Sequence, residues 1–307
     1  MGRRATLNAK KRNRRIITIS VVVAIIAAVV ILTLIVQSSQ NNPYSSFIGK
    51  PVSSSVLQAM TGISDSTLST IGAPSGVSPP NAISGPALTS GGKPEVVYIG
   101  GDYCPYCAFE RWSLIIALSR FGIFSGLEYM QSSSTDVNPS SPTFTFTSAT
   151  YTSQYIAFLP IEEYDRSGNP IKTLTTDQQA LITNYDTCPS TGTNGGIPFV
   201  DIANSYAVAC GAQSAMDLSG QNWTAIASQL STASSPTAQQ IDGAANALIT
   251  AICKVDGGQP ATVCTQSYAT LTLAYTSAGA SPTGQGSLSL ITQVREEARW
   301  SGLASRF

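Results

Sequence analysis

Two cysteines stand two residues apart at Cys104-Pro105-Tyr106-Cys107, between an apolar run over 95–99 and a helical pattern over 104–121 that stops at Gly122. Strand, tight turn and helix in that order bring both sulfurs to a helix start. Backbone N–H groups there have no intrahelical partner and carry partial positive charge. A thiolate at such a position is stabilised and its pKa falls. Cys104 sits where that field is strongest, and Cys107 lies one turn further in and less exposed. Pro105 suits the first helical turn, where its missing N–H costs nothing. Cys104 is therefore the expected attacking thiol and Cys107 the resolving one.

Other readings of such a pair stay open: half of a zinc site, or a static crosslink. Zinc needs a second close cysteine pair or histidines. The chain has no histidine, and Cys188, Cys210, Cys253 and Cys264 are widely spaced, so no metal is expected. Downstream, Gly195-Gly196 lead into an apolar run over 197–202 with Pro198 at its second position. A proline in a buried strand removes a ladder bond and is otherwise confined to edges.

On these two motifs, in this order, a segment over roughly 94–230 resembles the thioredoxin-like superfamily. The resemblance implies a central sheet flanked by helices, an Ile197–Pro198 bond that is cis, and an Ile197 backbone offered to a substrate strand. It also places Tyr106, between the cysteines, with Ile197 and Pro198 as substrate-contacting residues. The Cys-Pro-Tyr-Cys wording is the one glutaredoxins use. Thioredoxin's buried Asp, six residues before the first cysteine, falls here on Tyr98. The longer string over 97–112 looks like a family of membrane-anchored archaeal proteins of unassigned function.

The first fifteen residues hold seven Lys/Arg and no acid, and an apolar run follows over 16–36. At about 1.5 Å per residue that run is long enough to cross a hydrocarbon core of about 30 Å. It is expected as an uncleaved single-pass membrane helix, with a cleaved signal peptide as the alternative. The basic tail over 1–15 then stays cytoplasmic and the main domain is extracytoplasmic. The rest of the chain holds all 17 acidic residues and the other 10 of the 17 Lys/Arg, a net charge of −7. That leaves no electrostatic footprint for nucleic acid. Asn222-Trp223-Thr224 is a glycosylation sequon. Outside the redox pair, four cysteines allow three pairings. Nearest-neighbour pairing, Cys188 with Cys210 and Cys253 with Cys264, is the simplest, and both bonds read as structural.

The expected fold is α/β. It has a linker and N-terminal extension over 37–93, with one or two short helices and an edge strand over 84–90. A thioredoxin-like domain follows over 94–235, with strands at 95–99 and 127–131, an inserted hairpin from 144–147 and 155–161, a helix at 175–184, a hairpin from 197–203 and 206–209, and a closing helix at 222–230. A C-terminal helical appendage and tail cover 236–307, with helices at 237–254 and 264–275, a linker over 276–287 and a weak amphipathic helix over 288–303. Two functions of different class fit. One is a membrane-anchored thiol–disulfide oxidoreductase, an oxidant or isomerase, acting on protein thiols or disulfides, without a cofactor, and served by a membrane redox partner. The other is a surface binding or structural module in which the cysteine pair is a permanent crosslink, since fold does not imply function. Asp102, Glu110 and Arg111 are the charges nearest the pair; an Arg111 side chain reaching back would favour the thiolate and the two carboxylates would oppose it, but all three read first as solvated surface residues.

Overall fold

The computed structural model describes residues 17–18, 20–33, 42–188, 195–212 and 218–273. The basic tail over 1–15, the linker over 276–287 and the amphipathic pattern over 288–303 lie outside them. The membrane span is the first correction. Among the described residues no helix is long and apolar enough to cross a membrane. The described helical stretch over 20–33 accounts for about 21 Å of rise, against a core of about 30 Å. The single-pass arrangement, with its cytoplasmic tail and extracytoplasmic domain, loses its structural support with it.

The N-terminal extension begins with a 3-10 turn at Ser45–Phe47, continues through α1 (Ser54–Thr61) and α2 (Asp65–Ile71), and adds two-residue strands β1 (Asn81–Ala82) and β2 (Thr89–Ser90). Both helices start on a serine, Ser53 and Ser64, whose side chain accepts a backbone N–H of the first turn, the expected cap chemistry. Gly49 donates to the Tyr129 carbonyl at 2.9 Å, so the chain ahead of α1 is docked.

The central sheet is mixed. Strand β3 (Lys93–Gly101) lies between a parallel neighbour, β8 (Ala157–Tyr164), and an antiparallel one, β9 (Phe199–Ile202); β9 pairs with β10 (Tyr206–Ala209), β10 with β1, and β2 with the start of β3. From Val96 onward β3 is buried at every position, which is why its sequence is a continuous apolar run rather than an alternating one. Val96 and Tyr98 face the larger core with α3 (Pro105–Leu118). Val97 and Ile99 face a smaller one with Ile161, Phe199 and Ile182 of α4 (Thr176–Tyr185).

Two further parts of the expected architecture are corrected. The segments over 144–147 and 155–161 are not an inserted hairpin. β6 (Pro142–Thr145) pairs with β5 (Glu128–Gln131) in a separate two-stranded sheet, β4 (Gly122–Ser125) pairs with β7 (Thr150–Ser153) in another, and β8 joins the central sheet. Alternation reports which face a residue takes, not which strand it pairs with, and a parallel partner is reached only through a crossover such as α3. Nor is the C-terminal part an appendage. Past α5 (Trp223–Gln229), α6 (Pro236–Val255) packs on α3, with Ser113 Oγ donating to the Ile241 carbonyl at 3.0 Å. Ile241, Leu248 and Ile252 lie in the same core as Trp112 and Ile115. The helix expected at 264–275 is instead α7 (Ala261–Cys264) and a 3-10 turn at Ser267–Ala269.

Candidate functional site

Cys104 is the N-cap of α3. Its backbone is extended, Pro105 opens the helix, and Cys104 Sγ accepts the Cys107 backbone N–H at 3.4 Å. Both cysteines are free thiols, Cys104 5% exposed and Cys107 wholly buried. Hydrogen bonding from the Cys107 side chain lowers the Cys104 pKa. The Cys107 and Tyr106 N–H groups and the charge of Arg111 add to this, and burial opposes it. Burial first, then the Cys104 sulfur, hold the Cys107 thiol well above its usual range. The two thiols are thus shifted in opposite directions.

The segment holding Ile197 and Pro198 meets this helix start. The Ile197–Pro198 bond is cis, and Cys104 S–H donates to the Ile197 carbonyl at 3.6 Å. Gly101 lies close by: a Cβ there would meet the Tyr103 ring at 3.1 Å and Ile197 Cδ1 at 3.4 Å. Pro198 is buried, and Tyr106 is 39% exposed at the rim. Cys188 pairs with Cys210, and Cys253 with Cys264. The first bond lies against Gly196, next to Ile197. The second joins the end of α6 to α7.

Beneath the cysteines lies a charged cluster that reading the chain as a line did not find. Asp102, Glu110 and Arg111, expected at the surface, are all buried. Arg111 Nε and Nη2 donate to the two carboxylate oxygens of Glu162 at 2.9 and 2.7 Å. Its Nη2 also stands 3.4 Å from Asp102 Oδ1, an ion pair without hydrogen-bond alignment. The guanidinium lies 5.7 Å from the Tyr98 ring centre. Burial raises the Asp102 carboxyl to about 7, with Arg111 and a hydrogen bond from Thr145 opposing and Glu162 reinforcing. Glu110 is likewise raised to about 7 by burial, against one hydrogen bond from the Ala212 N–H at 2.8 Å. One signal for Arg111 was present, since positions 104, 107 and 111 share a helix face. Glu162 had none: β8 pairing sets it beside Gly100.

Among the described residues no group of His, Cys, Asp or Glu could hold a metal ion. The molecule is thus a mixed α/β sheet protein with a strand–CxxC–helix site facing a cis-proline segment. It belongs to the family described as domain of unknown function (DUF929), whose model matches residues 80–254, more than half of the chain. The match runs from just before β1 into the last turn of α6, so α6 lies within the family's domain. No curated protein and no solved structure matches the chain.

Proposed function

We propose that the protein is a thiol–disulfide oxidoreductase working through Cys104 and Cys107. The observation that carries this reading is the placement of two free thiols on one helix turn, where Cys104 Sγ accepts the Cys107 N–H with its pKa lowered while burial raises that of Cys107. A permanent crosslink has no use for that difference, whereas exchange chemistry depends on it. Cys104 thiolate attacks one sulfur of a substrate disulfide, and the other substrate sulfur leaves as thiolate. Cys107 then attacks Cys104 Sγ, releasing the second substrate sulfur, and the Cys107 proton goes to a departing thiolate. Two electrons pass to the substrate and Cys104–Cys107 is left as a disulfide; the reverse sequence oxidises a substrate dithiol. The two thiols suffice, without a cofactor.

The resemblance to the thioredoxin-like superfamily supports the same reading through Cys104, Cys107 and Pro198, and implies Ile197 and Tyr106 as the residues that meet a protein thiol or disulfide. The reduction potential of Cys104–Cys107 tests it. Equilibration of the full chain with dithiothreitol and mass mapping of the pair are expected to place it above about −300 mV, where catalytic disulfides lie. A pair that stays oxidised well below that value overturns the proposal.

A further inference from the structure

The Cys188–Cys210 disulfide spans 22 residues of sequence, and that span contains Ile197 and Pro198. Gly196 is packed against it so closely that a Cβ would lie 2.7 Å from Cys210 Sγ and 3.4 Å from Cys188 Sγ. The next residue is Ile197, whose carbonyl accepts the Cys104 S–H. On the other flank Gly211 follows Cys210, and a Cβ there would lie 3.5 Å from Pro198 Cγ and 3.8 Å from Glu110 Oε2. The disulfide therefore fixes both backbone stretches that bracket Ile197–Pro198. Its two halves differ in access: Cys188 is buried and Cys210 only half-buried. Cys210 also has φ +60°, the left-handed region that a residue with a Cβ occupies at a cost. Disulfides that are exposed or strained are the ones that exchange.

We infer that Cys188–Cys210 is a second redox-active pair, reduced by a dithiol, whose oxidation state sets the geometry around Cys104. The inference rests on the exchange chemistry proposed above and adds a second site to it. A donor thiolate attacks Cys210 Sγ, the S–S bond breaks, and Cys188 leaves as a thiolate that takes up a proton. The donor's second thiolate then attacks the donor sulfur bound to Cys210, which leaves as a thiol after protonation. Two electrons enter the protein and the donor departs as its own disulfide. Once separate, the sulfurs retreat to non-bonded contact, about 3.5–4.0 Å for heavy atoms generally. Reduction removes the tie that holds Cys210 against the backbone at 196, so that backbone is released and the Ile197 carbonyl moves away from Cys104. Loss of an acceptor for the S–H favours the thiolate, and the shift uncovers the sulfur. The reduced form presents a faster Cys104 nucleophile but a displaced substrate edge.

The test compares the two disulfides in the full chain. The rate at which iodoacetamide labels Cys104 is read by mass mapping in Cys188→Ser/Cys210→Ser and in Cys253→Ser/Cys264→Ser. The first variant is expected to label at least about fivefold faster than wild type, and the second within about twofold of it. Equal rates in the two variants overturn the inference. So does survival of Cys188–Cys210 in a dithiothreitol excess that fully reduces Cys104–Cys107. Should the first variant not fold, graded reduction of wild type gives the same reading, with the Cys104 rate followed against the fraction of Cys188 and Cys210 reduced; a flat dependence overturns it. Failure of Cys104–Cys107 itself to cycle with dithiothreitol is a separate result, and it strikes the oxidoreductase reading instead.

Discussion

Arg111 is fully buried, bonded twice to Glu162 and 3.4 Å from Asp102, so one cation faces two carboxylates and the Cys104 sulfur. Burial raises the Asp102 carboxyl to about 7 against the pull of Arg111, while the same cation adds to the lowering of the Cys104 thiol. Arg111→Met alone strands Glu162 in the interior, a loss of about 3–5 kcal/mol, whereas Arg111→Met with Glu162→Leu replaces the pair by apolar groups and is nearly neutral in many proteins. The double variant is expected to fold and to label Cys104 more slowly than wild type near pH 6, because the Arg111 charge that favours the thiolate is gone. Arg111→Lys keeps the charge but not the two-pronged bond, and its labelling rate should stay closer to wild type. A double variant as fast as wild type would remove Arg111 from the account of the site. In wild type, labelling below neutral pH should strike Cys104 at least about tenfold faster than Cys107; equal rates would reverse the roles.

At the scale of elements, what was legible was local. Pro105 after Cys104 marks the start of α3, and an apolar run marks β3, because each needs only neighbours in sequence. Strand partners and helix docking depend on distant residues. Glu162, 51 residues from Arg111, is brought to it by the β3–β8 register, and nothing near Arg111 in the chain announces it. α6 reads as peripheral in sequence because its buried face includes Ala238, Gly243, Ala244, Ala245, Asn246 and Thr250, residues with little hydrophobic contrast. Those small residues are what let helices and loops approach closely. A Cβ at Gly243 would lie 2.5 Å from Pro74 Cγ and 2.6 Å from Pro74 Cδ, and a proline ring cannot swing aside. In an exposed helix, Gly→Ala gains about 1 kcal/mol. Overpacking a close contact costs about 1–3 kcal/mol, and here the second effect should win. Gly243→Ala is expected to unfold at lower urea than wild type. A stabilised variant would mean that α6 and the 73–77 segment are not packed as described.

For the whole molecule, the buried carboxyls make a joint statement about pH. Asp102 and Glu110 are raised to about 7, Asp186 and Asp201 to about 6, and Asp242 well above its usual value, each chiefly by burial. Each prefers the protonated form in the fold and ionises more readily in the unfolded chain. Between the unfolded values near 4 and the folded values near 6–7 the folded state binds more protons, so stability falls as pH rises through that window and levels off above it. Asp165 is shifted the other way by hydrogen bonds from Asn169, but it lies at the surface and carries little weight. For Glu110, a rise from 4.5 to about 7 corresponds to a penalty on the order of 3 kcal/mol once both forms are ionised. Glu110→Gln removes that titration and leaves an oxygen to accept the Ala212 N–H. It is therefore expected to raise the urea midpoint near pH 8 and to change it little near pH 5, while wild type loses midpoint over the same interval. A wild-type midpoint that climbs from about pH 5 to about pH 8, or a Gln variant equally displaced at both, would show that these carboxyls are solvated or paired and that the charge-rich core beneath the cysteines is not buried as described.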